Sequence, residues 1–327
     1  MTAICHICHS DDTRYIFQSP LEKFTGAMGR TTGVDYYYCQ KCTGLSQHPI
    51  FSDADYKRFY EFVQRSEETG YKSKQVPRWH LKKKQEHSAF KWNQMNLLDV
   101  PGLMPGKRVY EIGSGEGTLL ATLRERGFSP RGIEPMALNA EYARNVLKLD
   151  VEQGYFNEQV AAREEADLVI LDNVLEHLTR PYDMLRLVRG MISTGGVLYV
   201  AVPSAEMVTA ENAHIAHITL WTRRALGFLM ECAGFEVVGM LKGRPASRPH
   251  EWVCVAQATR EPCPIETAMP RLFPAIPFEE LAALWGDRLK RYDRGVQGNA
   301  KYGRGFQMMV RLVRKVPGAR QVFKRFL

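Results

Sequence analysis

The sequence predicts an α/β protein built on a doubly wound parallel sheet. Three observations point there. Between residues 107 and 258, short apolar runs alternate with amphipathic segments of helical period. The first run, 108–112, ends in the turn Gly113-Ser114-Gly115-Glu116-Gly117, which opens directly onto Thr118-Leu119-Leu120-Ala121. The second, 131–134, ends in an acid, Glu134, followed by Pro135. Such alternation lays strands parallel with helices on both faces, and ligands bind at the carboxyl ends of the strands.

Taken in order, strands are expected at 108–112, 131–134, 166–171 and 197–202. A weaker one falls within 149–156, and 235–241 and 252–258 close the sheet. Helices are expected at 118–126, 136–147, 182–191 and 223–233, with Thr222 as N-cap and Gly234 as stop for the last. Ser52 and Asp55 have capping-box spacing, so a helix should begin there. Residues 67–94 are polar and basic, read as a mobile or helical lid with a solvated charged face. Prolines between 262 and 277 mark a connector to a helix from 278 to about 292. The chain of 327 residues thus divides into 1–50, 51–95 (linker or lid), 96–260 (core) and 261–327 (connector and helical tail).

The glycine turn lets the backbone reverse tightly and approach a ligand with no Cβ in the way. A dinucleotide turn reads G-x-G-x-x-G, with pyrophosphate on the helix N-terminus. Here the third glycine comes one residue early, and Glu111 stands where a pyrophosphate would be repelled. A cationic, phosphate-free ligand fits better, and S-adenosylmethionine carries a sulfonium and an amino group. Glu134, about 20 residues past the turn, suits the two hydroxyls of a ribose. Through these residues the stretch from about 107 to 258 resembles the Rossmann-like S-adenosylmethionine-dependent methyltransferases. The resemblance extends to Asp167-Leu168-Val169-Ile170-Leu171-Asp172-Asn173-Val174-Leu175-Glu176-His177 and to Gly195-Gly196-Val197-Leu198-Tyr199. It implies a seven-stranded methyltransferase sheet with an antiparallel last strand. It also implies a cofactor site at Glu111, Gly113, Ser114, Gly115, Gly117, Glu134, Pro135, Asp172 and Asn173.

Seven cysteines are present. Cys5 and Cys8 form one C-x2-C and Cys39 and Cys42 another, the spacing of a zinc ribbon, in which four thiolates close a tetrahedral shell around a structural Zn2+. His6 and His9 are adjacent alternative ligands. Cys232, Cys254 and Cys263 are scattered, as small buried hydrophobes often are. The ribbon, with Cys42-Thr43-Gly44-Leu45, Pro49 and the tyrosine-rich segment after it, resembles bacterial methyltransferases that carry an N-terminal zinc ribbon, many acting on sugars or surface glycans.

Acceptor-side candidates are His217, His177 and Asn173. Asn212 to Thr222, with His214 and His217, resembles the sugar C-methyltransferase pattern, in which a Glu-His pair precedes an aromatic and a helix cap. His217 matches that histidine, Ala216 stands in place of the glutamate, and only about 70 residues follow the core. The resemblance therefore implies O-methylation of a sugar, sugar nucleotide, glycan or other small metabolite. RNA or protein methylation and a non-catalytic scaffold are the alternatives. The formal charge of +8 argues against nucleic acid at the core, because its excess lies in residues 294–327, with nine basic and no acidic side chains. Apolar residues at helical spacing there suit either docking on the protein itself or peripheral contact with an anionic membrane. The first residues lack a signal-peptide pattern, so a cytoplasmic location, possible also at the inner membrane face, is expected.

Overall fold

The computed structural model describes residues 3–19, 34–52, 54–59, 78–97, 104–207, 213, 215–243 and 250–297. His214 and the basic stretch from 298 onward lie outside the described residues.

Seven strands form the main sheet: β4 (Arg108–Ile112), β5 (Ser129–Glu134), β6 (Asp150–Gln153), β7 (Ala166–Asp172), β8 (Ile192–Pro203), β10 (Glu236–Lys242) and β11 (Glu251–Gln257). Their order is β10-β11-β8-β7-β4-β5-β6. The strands from β8 to β6 run parallel to one another, and β11 runs antiparallel to both its neighbours. This is the expected seven-stranded sheet, of the methyltransferase type.

Its central strands are apolar on both faces because helices cover both. Along β7, Leu168 and Ile170 join one buried cluster while Val169 and Leu171 join the other, the two-residue period of a pleated strand. On the first face lie α2 (Thr118–Arg124) and α3 (Ala137–Asn145), with Leu120, Leu123, Ala140 and Ala143 buried, and Met95 of α1 (Arg78–Leu97). The second face receives α4 (Glu158–Arg163), α5 (Pro181–Met191) and α6 (Arg223–Cys232) through Val160, Leu185, Val188, Leu226 and Leu229. Full burial of side chains of this size stabilises the fold by about 1.5–3 kcal/mol each.

A second, four-stranded antiparallel sheet comprises β1 (Thr13–Gln18), β2 (Asp35–Cys39), β3 (Leu45–His48) and β9 (Thr219–Leu220). The first three come from the cysteine-bearing segment, and β9 comes from the loop between β8 and α6. The inner face, Phe17, Tyr36, Tyr38 and Leu45, packs on Ile218, Leu220 and the helix α7 (Phe278–Gln297). Phe17 stacks on Trp285 with ring centroids 4.1 Å apart.

The expected caps form. Asp55 N–H donates to Ser52 Oγ at 3.2 Å while Ser52 N–H donates to Asp55 Oδ2 at 3.0 Å, a reciprocal capping box ahead of the helical residues 54–59. Thr222 Oγ1 accepts from Ala225 N–H at 3.1 Å. Two expectations are corrected. Helix α1 does not simply present a solvated basic face, since Lys91, Ser88 and Gln94 are buried. Cys263 is exposed, unlike Cys232 and Cys254.

Candidate active site

The glycine turn joins β4 to α2 with Gly113, Gly115 and Gly117 all at positive φ (72, 54 and 76°). At Gly117 the reason for glycine is packing as well, because a Cβ would sit 2.7 Å from Leu149 Cδ1 and 3.1 Å from Ala143 Cβ. A Cβ on Gly115 would meet nothing within 4 Å, so this part of the turn borders open space that a ligand can fill. Glu134, buried at the end of β5, ties two loops together. Its Oε2 accepts from Gly115 N–H and its Oε1 from Met136 N–H, each at 2.8 Å. Pro135 is the half-buried link between them.

Glu111, the penultimate residue of β4, lies beneath the turn and is 3% exposed. Its Oε2 and the Ser114 Oγ are buried with no hydrogen-bond partner among the described residues. Burial pushes the Glu111 carboxyl up to about 8, with Lys91 and Lys84 pulling it down and Glu134 pushing it up. Buried polar atoms are nearly always satisfied, so two exceptions three residues apart at the carboxyl end of a central strand mark a place where a ligand completes the structure. The donors and charge required there fit the ammonium and sulfonium end of S-adenosylmethionine.

Helix α1 closes this side. Lys91 Nζ forms an ion pair with Asp172 at the end of β7, and Lys84 Nζ lies 3.5 Å from Glu116 Oε2. Ser88 Oγ donates to Thr118 Oγ1 at 3.0 Å, and Tyr199 OH donates to Gln94 Oε1 at 3.3 Å. The sequence reading missed these lysines. Their signal is spacing: Lys84, Ser88, Lys91 and Met95 share one helical face, and Met95 is in the core.

On the opposite side, Asn173 follows β7 at φ 56°, and its Nδ2 donates to Asp172 Oδ1 at 3.0 Å and to Glu251 Oε1 at 3.1 Å. A 3-10 turn, Leu175–His177, comes next. His177 Nδ1 donates to the Ala216 carbonyl at 2.7 Å, and burial lowers the imidazole to about 4. The ring of His217 lies 5.0 Å from that of His177, so segments distant in sequence bring the two histidines together.

Residues 83–239 match the family model described as a methyltransferase domain. A ubiquinone biosynthesis O-methyltransferase of Aeromonas salmonicida (strain A449) is 30% identical over 116 residues, 32% of this chain and 47% of that protein. Its namesake in Pseudomonas entomophila (strain L48) is 27% identical over 113 residues, 32% of this chain and 48% of that protein. The chain thus spans about half the length of the curated relatives it matches. Among solved structures, a SAM-dependent methyltransferase from Archaeoglobus fulgidus aligns at 15% identity over 53% of this chain and 94% of that chain, with a TM-score of 0.43.

The cysteine group lies beside the seven-stranded domain, packed on α6. Both C-x2-C turns share one design: His9 N–H donates to Cys5 O at 3.0 Å and Thr43 N–H to Cys39 O at 2.8 Å, with His9 and Thr43 both at positive φ. The four buried sulfurs converge, Cys5 on Cys42 at 3.6 Å and Cys8 on Cys39 at 3.5 Å. Disulfide sulfurs would be about 2.05 Å apart, whereas sulfurs at 2.3 Å from a tetrahedral ion lie ~3.8 Å apart. The neighbouring histidines are engaged elsewhere, His6 Nε2 with Gln47 O at 3.1 Å and His9 Nδ1 with Glu266 Oε1 at 2.8 Å.

Proposed function

We propose that the chain transfers a methyl group from S-adenosylmethionine to an oxygen of a small-molecule acceptor. The observation that carries this reading is the buried, unsatisfied Glu111 Oε2 beneath a glycine turn that is open at Gly115. The cofactor, when bound, supplies a methyl group already activated on sulfur. Glu111, Ser114, Asp172 and the turn at Gly113, Gly115 and Gly117 would hold its methionine end, and Glu134 with Pro135 its ribose. Asn173, His177 and His217 would line the acceptor side, where the acceptor hydroxyl must lose its proton as it takes the methyl.

Oxygen as the acceptor atom is supported by the O-methyltransferase names of the two relatives. A sugar, sugar nucleotide or surface glycan is supported by the resemblance of the ribbon and of His217 to glycan-modifying methyltransferases. Zn2+ at Cys5, Cys8, Cys39 and Cys42 is supported by the convergence of four buried sulfurs. Its role would be structural, because four thiolates leave no open position. Peripheral membrane contact rests on the charge of residues 294–327 alone. No helix among the described residues is long and apolar enough to cross a membrane.

Calorimetry with S-adenosylmethionine tests cofactor binding, and incubation of labelled donor with pooled sugar nucleotides, lipid-linked glycans, phenolic metabolites and RNA tests the acceptor. Label appearing only in RNA would replace the small-molecule reading. Absence of cofactor binding would overturn methyl transfer.

A further inference from the structure

We propose that Glu176, His177 and His217 bind a divalent transition-metal ion on the acceptor side of the cleft, a site distinct from the four-cysteine group. One carboxylate oxygen of Glu176 and one ring nitrogen from each histidine lie within 4.8 Å of one another. Around an ion at about 2.1 Å, such ligands sit ~3.0–3.4 Å apart, so side-chain adjustments of about an ångström close the set.

Three features suit it to ligation. The Ala216 carbonyl takes the Nδ1 proton of His177 at 2.7 Å, so the lone pair is on Nε2, which lies 3.8 Å from Glu176 Oε1. Metal-binding histidines are held through their other nitrogen in this manner. The His217 ring lies 5.0 Å from the His177 ring, centroid to centroid, so both can reach one ion. Glu176 is wholly buried, so its carboxyl group is held away from bulk water beside the two rings.

The donor set selects the ion. Two nitrogens and one oxygen favour Mn2+, Fe2+, Co2+, Ni2+ or Zn2+ over Mg2+ and Ca2+, which prefer all-oxygen shells, and three protein ligands leave positions for acceptor oxygens. The function of the ion, though not its binding, rests on the methyl-transfer reading. At this place it would ease loss of the acceptor proton by stabilising the anionic oxygen. It would also favour acceptors that offer two adjacent oxygens, such as vicinal diols.

The test is Mn2+ titration of the full chain, purified with its cysteine-bound metal retained and cleared of loosely held ions, with free Mn2+ read by electron paramagnetic resonance. We expect one Mn2+ per chain, bound roughly tenfold or more weakly in His217→Gln and in Glu176→Gln, with the metal content of the cysteine group unchanged. If the buried Glu176→Gln fails to fold, His177→Gln and His217→Gln carry the test. No Mn2+ binding to the wild-type protein, or equal binding in all folded variants, overturns the site. Calorimetry with S-adenosylmethionine in the same samples separates the two readings: a wild-type protein that binds the cofactor but not Mn2+ removes the metal site alone.

Discussion

The hydroxyl of Tyr36, in β2, donates to the backbone carbonyl oxygen of His217 at 2.6 Å. The cysteine-bearing segment thereby fixes a residue proposed to line the acceptor side. Neighbouring contacts act the same way: Gln47 N–H donates to Ile218 O at 2.9 Å, β3 pairs with β9, and the Thr43 and Thr222 hydroxyls meet at 2.9 Å. Tyr36→Phe keeps the ring and removes this bond, at a cost of ~1–2 kcal/mol. The expected result is a folded protein with a lower melting temperature, S-adenosylmethionine affinity within about twofold of wild type, and a clear drop in acceptor turnover. Unchanged turnover would show that His217 needs no such anchor.

Removal of the metal proposed for the cysteine group should act through the same anchor. Cys39→Ser, or treatment with a strong chelator, should unfold residues 3–48 and free the loop before α6, because metal binding in such small sheets is itself folding energy. Limited proteolysis should then cut within the ribbon and between β8 and α6, while the seven-stranded sheet keeps its circular dichroism. Chelator-treated protein that resists cleavage would remove the ion from the folding scheme.

Glu111 holds an uncomfortable position for a charged carboxylate. Its folded pKa, about 8, lies above the ordinary carboxylate range, so between about pH 4.5 and 8 the folded state holds more protons than the unfolded one. Stability from this group is therefore complete below pH 4.5 and is lost as pH rises through 8. Glu111→Gln should melt higher than wild type at pH 8, by ~2 kcal/mol or more in stability, with the gap shrinking toward pH 5. The same variant should lose cofactor binding. In the wild type, binding below pH 8 should release a proton, readable by calorimetry in buffers of different ionisation enthalpy.

Lys91 places a buried positive charge beside Asp172 and Glu111, where a cationic cofactor needs the acids. Lys91→Met should raise affinity for S-adenosylmethionine relative to its uncharged-sulfur product, shifting their ratio severalfold. Competition binding of the two ligands measures it. A ratio equal to that of wild type would mean that the ammonium is too far from the sulfur to matter.

Gly117→Ala should destabilise the fold by ~1–3 kcal/mol, since its Cβ meets Leu149 and Ala143 at positive φ. Gly115→Ala meets no atom and should cost only its backbone strain, ~1–2 kcal/mol, while weakening cofactor binding. Thermal melts and calorimetry on the pair separate packing from ligand approach.

The sequence by itself determined what short-range backbone chemistry controls. The turn at Gly113 to Gly117 was visible because L side chains resist positive φ, and the caps at Ser52 and Thr222 because short polar side chains satisfy nearby N–H groups. The sheet was visible because strands covered on both faces need continuous apolar runs such as Leu168 to Leu171. The four cysteines were visible as pairs, since a two-residue gap already turns both thiols one way. Only the tertiary structure decided which polar groups meet inside. Lys91 looks like any surface lysine until α1 lies across the glycine turn. Glu176 becomes a neighbour of His217 only when β9 joins the ribbon, and a two-residue strand has no pattern to read. Burial energy and hydrogen bonding over 40 to 180 residues of separation set those contacts, and no local preference along the chain encodes them.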